Sequence, residues 1–124
     1  PQSVHKLGGF RVQGREPDQA REMVQAGKRL QDAGADIVLL ECVPNEVGKA
    51  MTGALDVPVI GIGAGPAVDG QILVLYDVLD ITMGRTPRFV RNFQHGHDSP
   101  LAALEAYVRA VKDRSYPAPE HCFS

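Results

Sequence analysis

Apolar and polar positions along the first half of the chain follow two patterns. From Pro17 onward, apolar residues recur at helical spacing over 20–33 and again over 46–55, which predicts two amphipathic helices. Residues 37–40 and 58–62 are short apolar runs without alternation, typical of strands buried on both faces of a parallel sheet. Helix, strand, helix and strand joined by short connections predict an α/β fold.

Local signals mark the ends of these elements and leave one segment open. Gly34 predicts the end of the first helix, and Asn45 predicts the N-cap of the second. Residues 72–79 fit a helix or a strand equally well. Residues 81–98 are predicted to be irregular, with one turn of helix at 89–93.

A single domain is predicted over 1–124, with a loop at its start and an arm at its end. Residues 1–16 contain three glycines and are predicted to form a loop, while Ser99 and Pro100 begin a last amphipathic helix. Residues 114–124 form a C-terminal arm that lies on the surface or docks as a strap. Because a (βα)8 barrel needs about 250 residues, the chain matches half of one, and a small open α/β sandwich remains an alternative.

Composition narrows the class of protein. The 124 residues are 44% hydrophobic and 23% charged, which is typical of globular domains. A net charge of −2 disfavours a nucleic-acid partner, and no apolar run approaches the length of a membrane span. The opening PQSVHKLGGF lacks the apolar stretch of a signal peptide, and two cysteines are too few for a disulfide scaffold. We expect a cytoplasmic protein with small-molecule chemistry.

The strongest candidate for catalysis is Glu41, which directly follows the first apolar run. In α/β folds the carboxyl ends of parallel strands face the ligand crevice or the barrel mouth. We expect a carboxylate there to be partly desolvated, which makes it a better proton acceptor, and abstraction of a proton beside a carbonyl is a natural use. The alternative is a structural Glu that pairs with a cation or faces the next helix.

The glycines of the loop over 61–66 carry no side chains, so the loop backbone can approach a ligand or another chain segment closely. Its amides could cradle a phosphate, but Pro66 breaks the dinucleotide-binding fingerprint, so a tight turn is the favoured interpretation. The hypothesis that the chain is a phosphate-binding half-barrel of an unrelated enzyme is supported only by this loop.

Other polar residues have simpler interpretations. His95, His97 and Asp98 carry metal-ligating groups, but a solvated loop is favoured over a metal site. Asp69 is predicted to cap a helix, and Asp77 could reach a site from the ambiguous segment.

Three arginines and one cysteine complete the set of candidates. Arg85, Arg88 and Arg91 recur at every third position and are predicted to form a solvated face in preference to an anion patch. Cys42 has no basic neighbour in sequence and is predicted to be a buried packing residue.

Four stretches in this order resemble the ketopantoate hydroxymethyltransferase family. They are PQSVHKLGGFRVQGR, IVLLECVPNE, VPVIGIGAGPAVDGQILVLYD and YPAPEHCF. The resemblance implies the C-terminal half of a (βα)8 barrel and a homodecamer. It also implies transfer of a hydroxymethyl group from 5,10-methylenetetrahydrofolate to 3-methyl-2-oxobutanoate, with Glu41 of the LECVP motif as the base.

The resemblance also implies a magnesium ion that binds the keto acid. No residue of this chain matches the family's metal-ligand motifs, so the ligands are expected in the N-terminal half. The alternative to an enzyme is a non-catalytic α/β half-barrel module that needs a partner chain for folding or activity, because its strand edges are unprotected.

Overall fold

The computed structural model describes residues 3–6, 8–9 and 11–124, which form an α/β unit with a small parallel sheet. In chain order the elements are α1 (Pro17–Asp32), β1 (Val38–Glu41), α2 (Asn45–Ala54), β2 (Val59–Ile62), β3 (Gly70–Gln71), α3 (Leu75–Val78), α4 (Pro100–Lys112) and a short 3-10 helix (Pro119–His121). The three strands are parallel in the order β1-β2-β3. None of the helices in the described residues is long and apolar enough to span a membrane.

The predicted helices are confirmed with small changes at their ends. Pro17 occupies the first turn of α1, and the Ser99 side chain accepts a hydrogen bond of 3.1 Å from the N–H of Ala102 at the start of α4. The prediction for Asn45 is wrong, since Pro44 is the N-cap and Asn45 already belongs to α2. The Asn45 N–H donates instead to the carbonyl oxygen of Phe123 at 3.0 Å, so this residue holds the C-terminal segment.

The ambiguous segment over 72–79 is resolved as a turn of helix. A two-residue strand, Gly70–Gln71, precedes it, and α3 then covers only Leu75–Val78. The predicted turn of helix at 89–93 is wrong, because these residues are irregular and are held by the burial of Phe89 and Phe93.

Burial of β1 differs from the prediction for a strand covered on both faces. Val38 and Leu40 are buried, whereas Leu39 is 55% exposed and Ile37, just before the strand, is 59% exposed. Successive side chains of a strand point to opposite faces, so α1 and α2 cover only one face of this sheet. On the other face Leu39 and Glu41 are exposed, whereas Ile62, which pairs with Glu41, is buried.

Two apolar clusters hold the unit together. The first packs α1 and α2 on β1 and β2, and the second packs α3 and α4 on the irregular segment and the C-terminal arm. Complete burial of a side chain such as Val59 contributes roughly 1.5–3 kcal/mol. The buried members of the first cluster are Val38, Leu40, Val43, Val47, Met51, Leu55, Val59, Ala64 and Val68, and those of the second are Val78, Phe93, Ala103, Ala110 and Tyr116.

Candidate functional site

The carboxyl ends of β1 and β2 lie side by side, with Glu41 opposite Ile62. After Glu41 the chain turns sharply through Cys42, whose φ of 54° is in the left-handed region. Two backbone hydrogen bonds secure this turn, from the N–H of Cys42 to the carbonyl oxygen of Ile62 at 2.9 Å and from the N–H of Val43 to that of Gly63 at 3.0 Å. Glu41 is therefore carried by a strand end whose backbone is held by the neighbouring strand.

The Glu41 side chain projects from the open face of the sheet. Alternation along β1 places it on the same face as Leu39 and opposite the core residue Leu40. It is exposed, and within the described residues no hydrogen bond or ion pair engages its carboxylate. The expected partial desolvation is absent, because the Glu41 side chain is exposed. The carboxylate is accessible to a small molecule.

Cys42 is half-buried against the loop that precedes α1. Its carbonyl oxygen accepts a hydrogen bond of 3.2 Å from the N–H of Gln13, whose side chain in turn accepts one from Gln19 at 2.9 Å. Burial raises the pKa of the Cys42 thiol, the Glu41 charge raises it further, and the Arg15 charge opposes both. The raised pKa keeps the thiol protonated near neutral pH, as expected for a packing residue, although the residue is only half-buried.

The glycine loop after β2 packs closely against the protein's own side chains. A Cβ placed on Gly63 would stand 2.6 Å from Cδ1 of Phe89, and one on Gly65 would stand 2.2 Å from Oδ1 of Asn45. Both glycines have positive φ, at 67° and 78°. The Gln71 amide also donates to the carbonyl oxygen of Gly65 at 2.9 Å. These contacts support the interpretation of the loop as a tight turn.

The two aspartates have structural partners away from Glu41. The Asp69 carboxylate accepts a hydrogen bond of 2.8 Å from the N–H of Val59, so the predicted helix cap is wrong. Its partner is the first residue of β2, because the chain returns beside that strand. Asp77 is buried and accepts a hydrogen bond of 2.6 Å from the Thr82 hydroxyl.

The histidine cluster does not assemble a metal site. Within residues 3–6, 8–9 and 11–124, no three His, Cys, Asp or Glu side chains are grouped so as to hold a metal ion. His95 and Asp98 are exposed in an irregular turn, and His97 is half-buried. The solvated loop that the sequence favours holds for His95 and Asp98, whereas Nδ1 of His97 is buried and has no hydrogen-bond partner among the described residues.

The three arginines are exposed, and two of them lie on different aromatic rings. The Arg88 guanidinium lies 5.9 Å from the centre of the Phe123 ring, and that of Arg91 lies 4.9 Å from the Phe93 ring. Arg88 also donates to the carbonyl oxygen of Glu120 at 3.0 Å. Because these two guanidinium groups lie on different rings, the arginines do not form a common anion patch.

A cleft of about 300 Å³ lies beside the start of α2, where the C-terminal arm docks. Oδ1 of Asn45 is buried beside it and has no hydrogen-bond partner among the described residues. Glu41 does not line this cleft. The lining residues are Asn45, Pro66, Arg88, Pro117, Pro119, Cys122, Phe123 and Ser124.

Sequence reasoning missed the residues that surround the Glu41 turn from elsewhere in the chain. Gln13 and Arg15 come from the loop before α1, whereas Phe89 and Phe123 come from the far side of the glycine loop and from the arm. No local pattern marks them, since each acts through a contact between distant segments. Gln13, Arg15 and Phe123 lie within the stretches that carry the family resemblance, whereas Phe89 lies outside them.

Comparison with known proteins shows which family these features belong to. A family model described as ketopantoate hydroxymethyltransferase matches residues 1–119. The chain belongs to the ketopantoate hydroxymethyltransferase family. The 3-methyl-2-oxobutanoate hydroxymethyltransferase of Chromohalobacter salexigens is 59% identical over 123 residues, which are 99% of this chain and 47% of that protein.

Two other relatives have matching names, and this chain covers a similar share of their length. The protein of that name from Alkalilimnicola ehrlichii is 55% identical over 99% of this chain and 44% of its own length. The 3-methyl-2-oxobutanoate hydroxymethyltransferase 2 of Hahella chejuensis is 52% identical over 100% and 47%, respectively. The chain therefore spans less than half the length of these curated members of the ketopantoate hydroxymethyltransferase family.

Proposed function

We propose that this chain forms part of an enzyme that makes ketopantoate, with Glu41 as the proton acceptor. The reaction moves a hydroxymethyl group from 5,10-methylenetetrahydrofolate to 3-methyl-2-oxobutanoate. One observation supports this role above the others: Glu41 ends a parallel strand on the open face of the sheet, with its carboxylate free of described partners. The carboxyl ends of parallel strands are where α/β enzymes place their catalytic groups.

The open sheet is evidence that this chain is part of a larger barrel. β1 and β3 are the two edges of the sheet, and each exposes backbone groups that another strand could pair. The exposed Ile37 and Leu39 form an apolar surface on the same face as Glu41. We propose that strands from the rest of the enzyme close a (βα)8 barrel over this face. A cytoplasmic homodecamer is the assembly that the resemblance implies.

The chemistry assigned to Glu41 is one proton transfer. Its carboxylate takes the proton from C3 of the keto acid, and the electron pair of the broken C–H bond moves into the enolate. One C–N bond of 5,10-methylenetetrahydrofolate opens to an iminium ion, and C3 forms a bond to its carbon. The remaining C–N bond then breaks as water supplies the hydroxyl group. The C3 proton and one proton of the water end on the two folate nitrogens, so ketopantoate and tetrahydrofolate are released. The resemblance also implies magnesium, but the described residues do not fit a metal site, so any ligands would lie outside this chain and no step is derived through the ion.

The test uses a complete enzyme, in which this chain replaces the aligned segment of the Chromohalobacter salexigens relative. Exchange of the C3 proton of 3-methyl-2-oxobutanoate with deuterium is followed by NMR, and ketopantoate formation is assayed separately. Glu41→Gln keeps the size of the side chain and removes the base, so both rates should fall by about 10²–10⁴-fold.

The matched control is Glu46→Gln, which alters an exposed carboxylate in the first turn of α2. It should keep both rates. Unchanged exchange in Glu41→Gln would overturn the assignment of the base. If the complete enzyme without either substitution is inactive, although this chain folds and assembles with the remaining half, the result would favour the non-catalytic module.

A further inference from the structure

The orientation of Glu41 depends on a backbone contact that passes through Gly63. The residue that follows the Glu41–Cys42 turn, Val43, donates its N–H to the Gly63 carbonyl at 3.0 Å. A shift of Gly63 would weaken this bond, which is one of the two backbone hydrogen bonds that secure the turn after Glu41. The position of Gly63 is therefore linked to the direction in which the Glu41 carboxylate points.

Phe89 closes the space beside Gly63. Phe89 is 8% exposed, and a Cβ on Gly63 would meet Cδ1 and Cγ of its ring at 2.6 and 2.9 Å. A buried ring in contact with a backbone that has no side chain limits movement in that direction. Phe89 thus restrains the turn of the glycine loop that carries the Gly63 carbonyl.

The C-terminal arm in turn holds Phe89. The Tyr116 hydroxyl donates to the Phe89 carbonyl oxygen, and the Phe123 ring meets the Phe89 ring edge-on, with centroids 6.5 Å apart. Arg88 lies over the Phe123 ring and binds the Glu120 carbonyl of the arm. Polar and aromatic contacts with the arm therefore hold Phe89 in addition to its contact with Gly63.

The same arm reaches the other flank of the Glu41 turn. The N–H of Asn45, at the start of α2, donates to the Phe123 carbonyl at 3.0 Å. Asn45 follows Glu41 by only a few residues, through the buried Val43 and Pro44. Phe123 consequently contacts two neighbours of the turn, Asn45 through its carbonyl oxygen and Phe89 through its ring.

We propose that Phe89, Tyr116 and Phe123, here called the aromatic clamp, position Glu41 for proton abstraction. They are positioning residues, since they act on Glu41 through Gly63 and Asn45. The inference rests on the proposed function of Glu41. Small errors in the placement of a catalytic group lower rates steeply, so loosening the clamp should slow proton abstraction before it weakens substrate binding.

The decisive variant is Phe123→Ala in the complete enzyme. Exchange of the C3 proton and kcat should both fall about tenfold, while KM for the keto acid stays within about twofold. Phe123→Tyr preserves the ring and should restore both rates. Val57→Ala is the control, because Val57 is a partly buried residue packed at the opposite end of β2, and its loss should lower the melting temperature without slowing exchange.

The outcomes separate the clamp from the proposed function. If Phe123→Ala lowers the melting temperature as Val57→Ala does yet exchanges the C3 proton at the wild-type rate, the clamp is merely structural. If Phe123→Ala fails to fold, Phe89→Leu gives the same measurement with a smaller change at the Gly63 contact. Should Glu41→Gln itself retain exchange, the base assignment fails and the clamp has no group to position.

Discussion

Gly48 of α2 lies so close to Ala64 that a Cβ at position 48 would stand 2.3 Å from the Ala64 carbonyl oxygen. This contact seats α2 directly on the glycine loop after β2. An added methyl group has to displace backbone, because the opposing atom is not the end of a flexible side chain.

Gly48→Ala should therefore destabilise the complete enzyme by about 1–3 kcal/mol, as overpacking usually does. Gly53→Ala is a matched control in the same helix, since nothing lies within 4 Å of a Cβ at that position. There the gain in helix propensity should stabilise the protein by about 0.5–1 kcal/mol. Urea unfolding of both variants measures the contrast, and equal effects would contradict the contact.

The buried carboxylate of Asp77 accepts a hydrogen bond from the Thr82 hydroxyl. Thr82→Val keeps the shape of the side chain but removes the donor that lies 2.6 Å from Asp77. A buried acceptor that loses its donor costs about 1–3 kcal/mol, so the free energy of unfolding should fall by that amount. Thr82→Ser retains the hydroxyl and should lose much less, and an equal loss in both variants would count against the hydrogen bond.

His121 should make the arm less stable in acid. Burial lowers the pKa of this side chain, with Glu120 opposing and Arg91 reinforcing the shift, and its Nδ1 accepts a hydrogen bond of 3.1 Å from the N–H of Ala118. The unfolded chain then takes up the proton more readily. Stability is fully present above the unfolded pKa of about 6.5 and falls as the pH drops through the lowered folded pKa.

His121→Gln should remove this part of the pH dependence. The difference in melting temperature between the variant and the wild type should shift in favour of the variant as the pH falls from neutral to mildly acidic. His95→Gln alters an exposed histidine and serves as the control. A difference for His121→Gln that is constant with pH would contradict the predicted sign.

Cys42 should react slowly with alkylating reagents at neutral pH. Its pKa lies above the ordinary value of 9.0, chiefly because of burial, and only the thiolate is nucleophilic. Peptide mapping by mass spectrometry after timed exposure to iodoacetamide should show alkylation of Cys42 that accelerates only in alkaline solution. Arg15→Gln should slow the reaction further, whereas Arg21→Gln, on the exposed surface of α1, should not.

Predictions succeeded where the decisive physics is local. Pro17 begins α1, and Ser99 and Pro100 begin α4, because capping and a fixed proline φ act within one turn of helix. The same reasoning wrongly predicted helix caps at Asp69 and Asn45. Asp69 accepts a hydrogen bond from the N–H of Val59, and the N–H of Asn45 donates to the carbonyl oxygen of Phe123. In both cases the bonding partner comes from a segment that is distant in sequence.

The sequence alone determined the order of the main helices and strands, the motifs that mark the family, and the choice of Glu41, because periodicity, turn residues and apolar runs are properties of neighbouring positions. Only the tertiary structure decided that one face of β1 is open and that Gly63, Phe89 and Phe123 meet beside the Glu41 turn. These contacts exist only where parallel strands end at a common edge and the C-terminal arm packs back onto it, which no short stretch of residues specifies.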